Sequence, residues 1–294
     1  MKSNNMIRLI AFVFSLTFVS ISFAKSPVFK VSKGDDHIYI GGTIHLLSQN
    51  DYPLPTGFAT AFDAAEHVYF ETDTSQMSSA EVQAQMGQMM ALPEEKSLLT
   101  ELSKETYARL ESHLNERGLD IAPFQKITPS AVSMTLTVFE LQLLNLGNPK
   151  SGVDHFFNSK ATEAGKKTFY LESLEEQIGF IGKFNSAEPN LIINAGLDDL
   201  NNLGKSWKEA LAAWRDGDLE AMGDRLGGES LQTKFPAIYK VLLTDRNNRW
   251  LTDIRTMFDS KEIELILVGA LHLTSDDGLI QQLQNDGYTV EQLD

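Results

Sequence analysis

Two histidines at matching positions near opposite ends of the sequence are the residues best suited to chemistry. Each closes a Gly-x-x-His motif, one running from Gly42 to His45 and the other from Gly269 to His272. Each motif ends an apolar, β-branched-rich run that is typical of a strand buried on both faces. A lone histidine at a strand end more often has a structural role, but two in matching frames favour a shared site. We therefore predict that the two imidazoles face one cleft, as part of a metal or acid–base site.

Three carboxylates lie where they could complete such a site. Glu71 ends the predicted strand at residues 67–73, which we expect to lie beside the strand that carries His45. Glu172 follows a short predicted strand at 167–171, and Asp154 opens a predicted helix. Ionised carboxylates serve as metal ligands or general bases. The simpler alternatives are solvated strand ends for the two glutamates and a helix N-cap for Asp154.

Arg246 and Asn247 lie in a predicted helix, with Arg246 on the same face as Leu242 and Trp250. That face is apolar, and a buried guanidinium requires a negative partner. The partner could be a carboxylate or the oxyanion of a reacting substrate. A purely structural ion pair stays an equal alternative for Arg246.

The elements that must position these residues predict an α/β fold. A hairpin, residues 28–31 and 37–46, leads through a short helix to the strand at 67–73. A strand at 262–272, a helix at 276–285 and a final strand at 288–290 repeat this arrangement. We predict a mixed sheet built from two β-α-β Gly-x-x-His units, with a long, mostly helical insertion at about 76–258. Residues 25–294 would then form one domain.

Composition restricts the compartment and the partners. Residues 1–24 are typical of a cleaved signal peptide, with Lys2 and Arg8, an apolar core, and a cleavage site after Ala24. Cleavage removes those two basic residues and no acid, so the net charge falls from −15 to −17. An acidic chain without a basic cluster is a poor ligand for nucleic acid, and no later stretch predicts stable membrane insertion. The signal sequence leads us to expect a periplasmic or secreted protein. The absence of cysteine excludes disulfides and thiolate chemistry.

The paired Gly-x-x-His motifs resemble those of the TraB/PrgY/GumN family, which includes the Tiki metalloproteases, and most closely its GumN-like branch. The likeness extends, in order, through the segments at 70–73, 152–154, 171–177, 214–218 and 245–247, although Asp245 stands where the family pattern has Glu. The resemblance implies a protease that depends on a divalent metal, manganese or cobalt. It implies that His45, His272 and Glu71 form the metal site. By their chemistry, these ligands suit zinc as well.

These observations lead to one main hypothesis and two alternatives. The main hypothesis is a periplasmic metal-dependent hydrolase, a peptidase that acts on a peptide or protein. Glu71 or Glu172 would serve as the base if not a ligand, and Arg246 would stabilise the oxyanion. One alternative is a non-catalytic protein that binds a peptide or another ligand in the same cleft. The other is a metal-free hydrolase in which a histidine is the base. Sequences typical of serine hydrolases, zincins and nucleotide-binding loops are absent.

The signal sequence predicts export with cleavage. Intact mass spectrometry of the protein from its native host should give a chain that begins at Lys25. A full-length product in the cytoplasm would contradict this prediction.

Overall fold

The computed structural model describes residues 25–294 and contains a mixed six-stranded sheet. The predicted signal peptide, residues 1–24, lies outside the described residues. The strands, in sheet order β4-β3-β5-β2-β1-β6, are numbered along the chain. Their bounds are β1 Val28–Lys33, β2 Asp36–Thr43, β3 His67–Phe70, β4 Lys167–Tyr170, β5 Glu264–Gly269 and β6 Thr289–Gln292.

The sheet confirms the predicted α/β class and its mixed character. Strands β2, β5, β3 and β4 run parallel, whereas β1 pairs antiparallel with both β2 and β6. The predicted hairpin turns at Gly34, whose φ of +63° is a conformation that glycine adopts without strain. Both Gly-x-x-His motifs therefore begin within one sheet, on adjacent strands.

The prediction that the strand leading to Glu71 lies beside the strand leading to His45 is wrong. Strand β5 lies between β2 and β3, so the strand that leads to Glu71 borders the second motif rather than the first. All six residues of β5 are buried, which a central strand requires. Hydrophobic patterning identified each strand but carries no information on their order.

The second motif also departs from the predicted strand. Strand β5 ends at Gly269, and Ala270–Leu273 form a 3-10 turn that carries His272. The first motif leaves its strand at Thr43, so His45 also follows rather than ends the strand. The regular alternation of side chains between the two faces of a strand therefore does not determine where either histidine points.

Helices pack on both faces of the sheet. Leu265 and Leu267 of β5 contact one core with Phe58 and Trp214, and Ile266 and Val268 face a second core with Trp250. The Trp214 indole N–H also donates to the carbonyl oxygen of Gly42 at 2.7 Å, which fixes a helix against the start of the first motif. Burial of large aromatic side chains on both faces holds the strand ends in place.

The α-helices lie mostly between β3 and β5, in the expected insertion, which also contains β4 and has an apolar core of its own. Along residues 25–294 no helix has the length and apolar character needed to cross a bilayer. The helices are α1 Thr56–Ala64, α2 Ala80–Met90, α3 Leu98–Glu101, α4 Lys104–Asn115, α5 Pro129–Leu143, α6 Val153–Glu163, α7 Leu174–Gly182, α8 Pro189–Leu200, α9 Leu203–Arg215, α10 Leu219–Arg225, α11 Gly228–Lys234, α12 Pro236–Tyr239, α13 Asp245–Met257 and α14 Leu279–Asn285.

Candidate active site

The two histidines and Glu71 converge on one glycine. A Cβ atom added at Gly269 would lie 3.2 Å from Glu71 Oε1, 3.4 Å from His45 Nε2 and 3.7 Å from His272 Cδ2. The Gly269 backbone N–H also donates to Glu71 Oε1 at 2.6 Å. The glycine therefore leaves the space in which three predicted site residues face one another. The prediction of a common cleft is confirmed, since one cavity is lined by all three side chains.

His45 is held by Asp154. Its Nδ1 lies 2.6 Å from Asp154 Oδ2, and the Thr43 hydroxyl donates to Oδ1 of the same carboxylate at 2.8 Å. The expected N-cap role of Asp154 is wrong, because Gly152 caps α6 and leaves the Asp154 side chain free for His45. Gly152 is needed there, since an added Cβ would lie 2.2 Å from the His45 carbonyl oxygen.

The Asp154 carboxylate raises the pKa of the His45 imidazole, to about 9, while burial opposes the shift. The side chain is nevertheless 61% exposed, so solvent weakens the effect of Asp154 without reversing its direction. The direction of the shift favours the protonated imidazole in the metal-free protein. Its Nε2 is directed into the cleft.

His272 has the opposite electrostatic environment. Its Nδ1 lies 2.6 Å from Asn247 Oδ1, and because that oxygen only accepts, Nδ1 carries the proton. Its Nε2 is the lone-pair nitrogen and accepts from Arg246 Nη1 at 3.0 Å. Burial, reinforced by the nearby guanidinium, lowers the pKa of His272 to about 3. This imidazole is therefore neutral.

Arg246 connects the two predicted glutamates. Its Nε and Nη2 donate to Glu172 at 3.0 and 2.7 Å, and Nη2 also donates to Glu71. Its Nη1 donates to the Leu242 carbonyl oxygen and to His272. All five N–H groups of the guanidinium are therefore used. The negative partner expected for Arg246 is a carboxylate, and both Glu71 and Glu172 provide one.

The two glutamates differ in environment although they share Arg246. Burial opposes ionisation of Glu71, but Arg246 and the Gly269 N–H outweigh it and hold the pKa of Glu71 well below its ordinary value. Burial raises the pKa of Glu172, against the pull of Arg246 and Arg249. Glu71 lines the cleft, whereas Glu172 lies behind Arg246 and touches neither cavity beside the histidines. Glu172 therefore positions the guanidinium.

A second carboxylate network, which the sequence did not predict, anchors Asn247. Asp277 accepts from the hydroxyls of Tyr239 and Thr244, at the two ends of the π-helical segment Lys240–Thr244 that leads into α13. The Asn247 amide donates to the Asp277 carbonyl oxygen at 2.9 Å. Asp276 and Asp277 were expected to begin a helix, but α14 starts only at Leu279. These contacts join Asp277 to the segment that leads into α13 and to Asn247 on that helix. No local sequence pattern predicts them.

The donor set fits a divalent cation, with one adjustment. Two imidazoles held at Nδ1 by Asp154 and Asn247, together with one ionised carboxylate, suit manganese, cobalt or zinc. In the part of the chain that the structure describes, no three His, Asp or Glu side chains are already grouped to hold an ion. His272 Nε2 accepts from Arg246, and Glu71 accepts from Arg246, from the Gln177 amide and from the Gly269 N–H. A cation at these residues would have to displace at least the contact between Arg246 and His272, while Arg246 could keep both contacts to Glu172.

Comparison with known proteins supports the predicted resemblance. The model of the TraB/PrgY/gumN family matches residues 27–292. The "Uncharacterized protein YbaP" of Escherichia coli (strain K12) is 24% identical over 251 residues, which cover 85% of this chain and 89% of that relative. YbaP of Shigella flexneri matches over the same shares with the same identity. No solved structure matches this chain.

The shared guanidinium predicts a large stability effect. Arg246→Ala leaves Glu71 and Glu172 buried without their main cation and should lower the free energy of unfolding by about 3–5 kcal/mol at neutral pH. Because folding lowers the pKa of Glu71, its ionised carboxylate stabilises the protein at pH values above the ordinary glutamate pKa. This stabilisation is lost as the pH falls. The deficit measured by urea unfolding should therefore shrink in acid. The half-exposed Arg249→Ala is the matched control and should cost under about 1 kcal/mol. Equal losses in the two variants would contradict this assignment.

The contact between Asp154 and His45 predicts a pH effect of defined sign. Asp154→Asn should lower the pKa of His45 towards its ordinary value, which NMR titration of chelator-treated protein would measure. A histidine whose pKa is raised on folding contributes its full stabilisation at pH values below the unfolded pKa of 6.5. This stabilisation is lost as the pH rises through about 9. The substitution should thus destabilise the protein more at about pH 6 than at about pH 10. His37, remote from Asp154, is the internal control. An unchanged His45 titration would show that the contact does not form in solution.

Proposed function

This chain belongs to the TraB/PrgY/gumN family, and on that premise we propose that it is an exported, metal-dependent hydrolase that cleaves an amide bond in a peptide or protein. The proposal rests on one observation. Two imidazoles, each oriented through Nδ1 by a polar neighbour, converge with Glu71 around Gly269. An oriented Nδ1–H is the usual companion of a histidine whose Nε2 binds a metal.

His45, His272 and Glu71 would hold the ion. When bound, a divalent ion supplies a water of lowered pKa and polarises the substrate carbonyl. Asp154 and Asn247 fix the imidazoles, so that little side-chain entropy is lost when the site fills. Arg246 pairs with both Glu71 and Glu172 in the metal-free protein, and Glu172 would remain its partner when the ion binds.

The reaction would be ordinary amide hydrolysis. The water oxygen bonds to the carbonyl carbon, the C–N bond breaks, and one proton reaches the departing nitrogen. Among the described residues that line the cavity shared by both histidines, Glu71 is the carboxylate. Arg246 could serve the oxyanion only by exchanging one of its present acceptors, because all of its N–H groups are used.

A metal-free hydrolase is the second candidate, and one observation favours it. Asp154 and His45 already form a carboxylate–imidazole pair whose free nitrogen is open to the cleft, while His272 Nε2 is engaged by Arg246. Such a pair can donate a proton to a leaving group and recover it from water. Here Arg246 would stay in place throughout the reaction.

The periplasm is the compartment that we propose. The signal-like residues 1–24 support export.

The metal prediction can be tested by thermal unfolding and calorimetry with manganese, cobalt and zinc. An ion that binds only the folded protein should raise the melting temperature. His45→Ala, His272→Ala and Glu71→Gln should each weaken ion binding roughly 10–100-fold or more, and remove most of that rise. His113→Ala, in the helical insertion, is the control and should leave the rise intact.

Three outcomes separate the candidates. Equal metal responses in the native protein and His272→Ala would exclude this metal site. Peptide cleavage in the presence of chelator that is lost in Asp154→Asn would favour the metal-free hydrolase. Peptide binding without cleavage, with or without metal, would leave the non-catalytic binding protein ahead.

A further inference from the structure

The cleft beside the histidines has two lobes of different chemistry. Both lobes are lined by His45, Glu71 and Arg246, and also by Phe184 and Leu242. We name the first the apolar lobe, about 360 Å³, whose walls include Ile44, Leu46, Trp207, Leu226, Leu231 and Leu271. We name the second the mixed lobe, about 680 Å³, whose walls include Phe70, Met77, Lys150, His155, Asn158 and Phe180. A ligand that spans both lobes must pass the site residues.

The apolar lobe offers few polar partners. Among the described residues that line it, the polar side chains are Thr43 and the site residues themselves. The Thr43 hydroxyl is committed to Asp154, and the Trp207 indole N–H donates to the Leu146 carbonyl oxygen at 2.9 Å. Trp207 therefore presents only its ring. A charged or hydrogen-bonding group placed here, away from the site residues, would lose its water and gain no side-chain partner.

The mixed lobe provides what the apolar lobe lacks. Lys150, His155, Asn158 and Gln177 line it between aromatic and aliphatic side chains. Amide and ammonium donors of this kind can satisfy the carbonyl groups of an extended backbone. Aromatic and aliphatic walls with a few polar groups are typical of sites that bind peptides and small ligands.

We infer that the substrate is a peptide with bulky apolar side chains on one side of the scissile bond and polar residues on the other. This inference rests on the proposed hydrolase and adds the division of the substrate between the two lobes. The apolar lobe would take the apolar side chains, and Trp207, Leu226 and Leu231 would determine that preference.

Blocked hexapeptides provide the test. One probe has two leucines and a phenylalanine followed by serine, glutamine and serine, and a second has the two halves exchanged. The control replaces the three apolar residues with asparagine and glutamine. Binding is measured by calorimetry on the purified protein, and cleavage by mass spectrometry of the same mixtures with manganese, cobalt or zinc present. At least one apolar probe should bind about 10-fold or more tightly than the polar control.

A matched pair of substitutions locates the binding. Leu231→Arg places a charge in the apolar lobe at a half-buried position and should weaken binding of the apolar probe about 10-fold or more. Leu191→Arg makes the same change at an exposed position on α8 and should leave binding unchanged. Circular dichroism of both variants confirms that they fold.

Different outcomes would overturn the two-lobe substrate preference and the proposed hydrolase activity. Equal binding of apolar and polar probes, no binding of any probe, or undiminished binding by Leu231→Arg would overturn the two-lobe inference, even if peptides are cut. Selective binding that Leu231→Arg abolishes, without cleavage under any metal, would overturn the hydrolase and support the peptide preference of the lobes.

Discussion

The buried guanidinium of Arg246 is the interaction on which the rest of the site depends. It forms ion pairs with both Glu71 and Glu172, and its remaining donors reach the Leu242 carbonyl and His272. A charge of this kind is tolerated inside a protein only when it is paired and fully hydrogen-bonded. Since its partners come from the ends of two strands and the turn after a third, Arg246 also fixes how α13 meets the sheet.

The sheet explains why these groups can meet. Strands β2, β5 and β3 are parallel, so the residues that follow all three lie at one edge of the sheet. Open α/β sheets place their ligands at that edge because the chain leaves each strand there. Gly269 and Gly152 then permit approaches that a side chain would prevent, one among the site groups and one against the backbone of His45.

The two histidines, alike in sequence, occupy unlike environments. His45 is exposed and beside a carboxylate, whereas His272 is buried and beside a cation. Their pKa values move in opposite directions for that reason. Pairs of titratable groups with divergent pKa values are characteristic of functional sites. The proposed metal would bring the two imidazoles to the same neutral state, because a ligand nitrogen must give up its proton.

Much of this arrangement could be predicted from the sequence, because it depends on local pattern. Apolar runs predicted the strands, and the Gly-x-x-His frames selected His45 and His272. The position of Arg246 on an apolar face predicted a negatively charged partner for its guanidinium. Tertiary structure alone decided that β5 separates β2 from β3, that Asp154 serves His45 instead of capping α6, and that Asp277 anchors Asn247. Local periodicity reports which residues are buried. Strand order and partner choice arise from packing between segments that are separated in the sequence, by 30 residues for Asn247 and Asp277 and by 109 for His45 and Asp154. No local pattern contains that information.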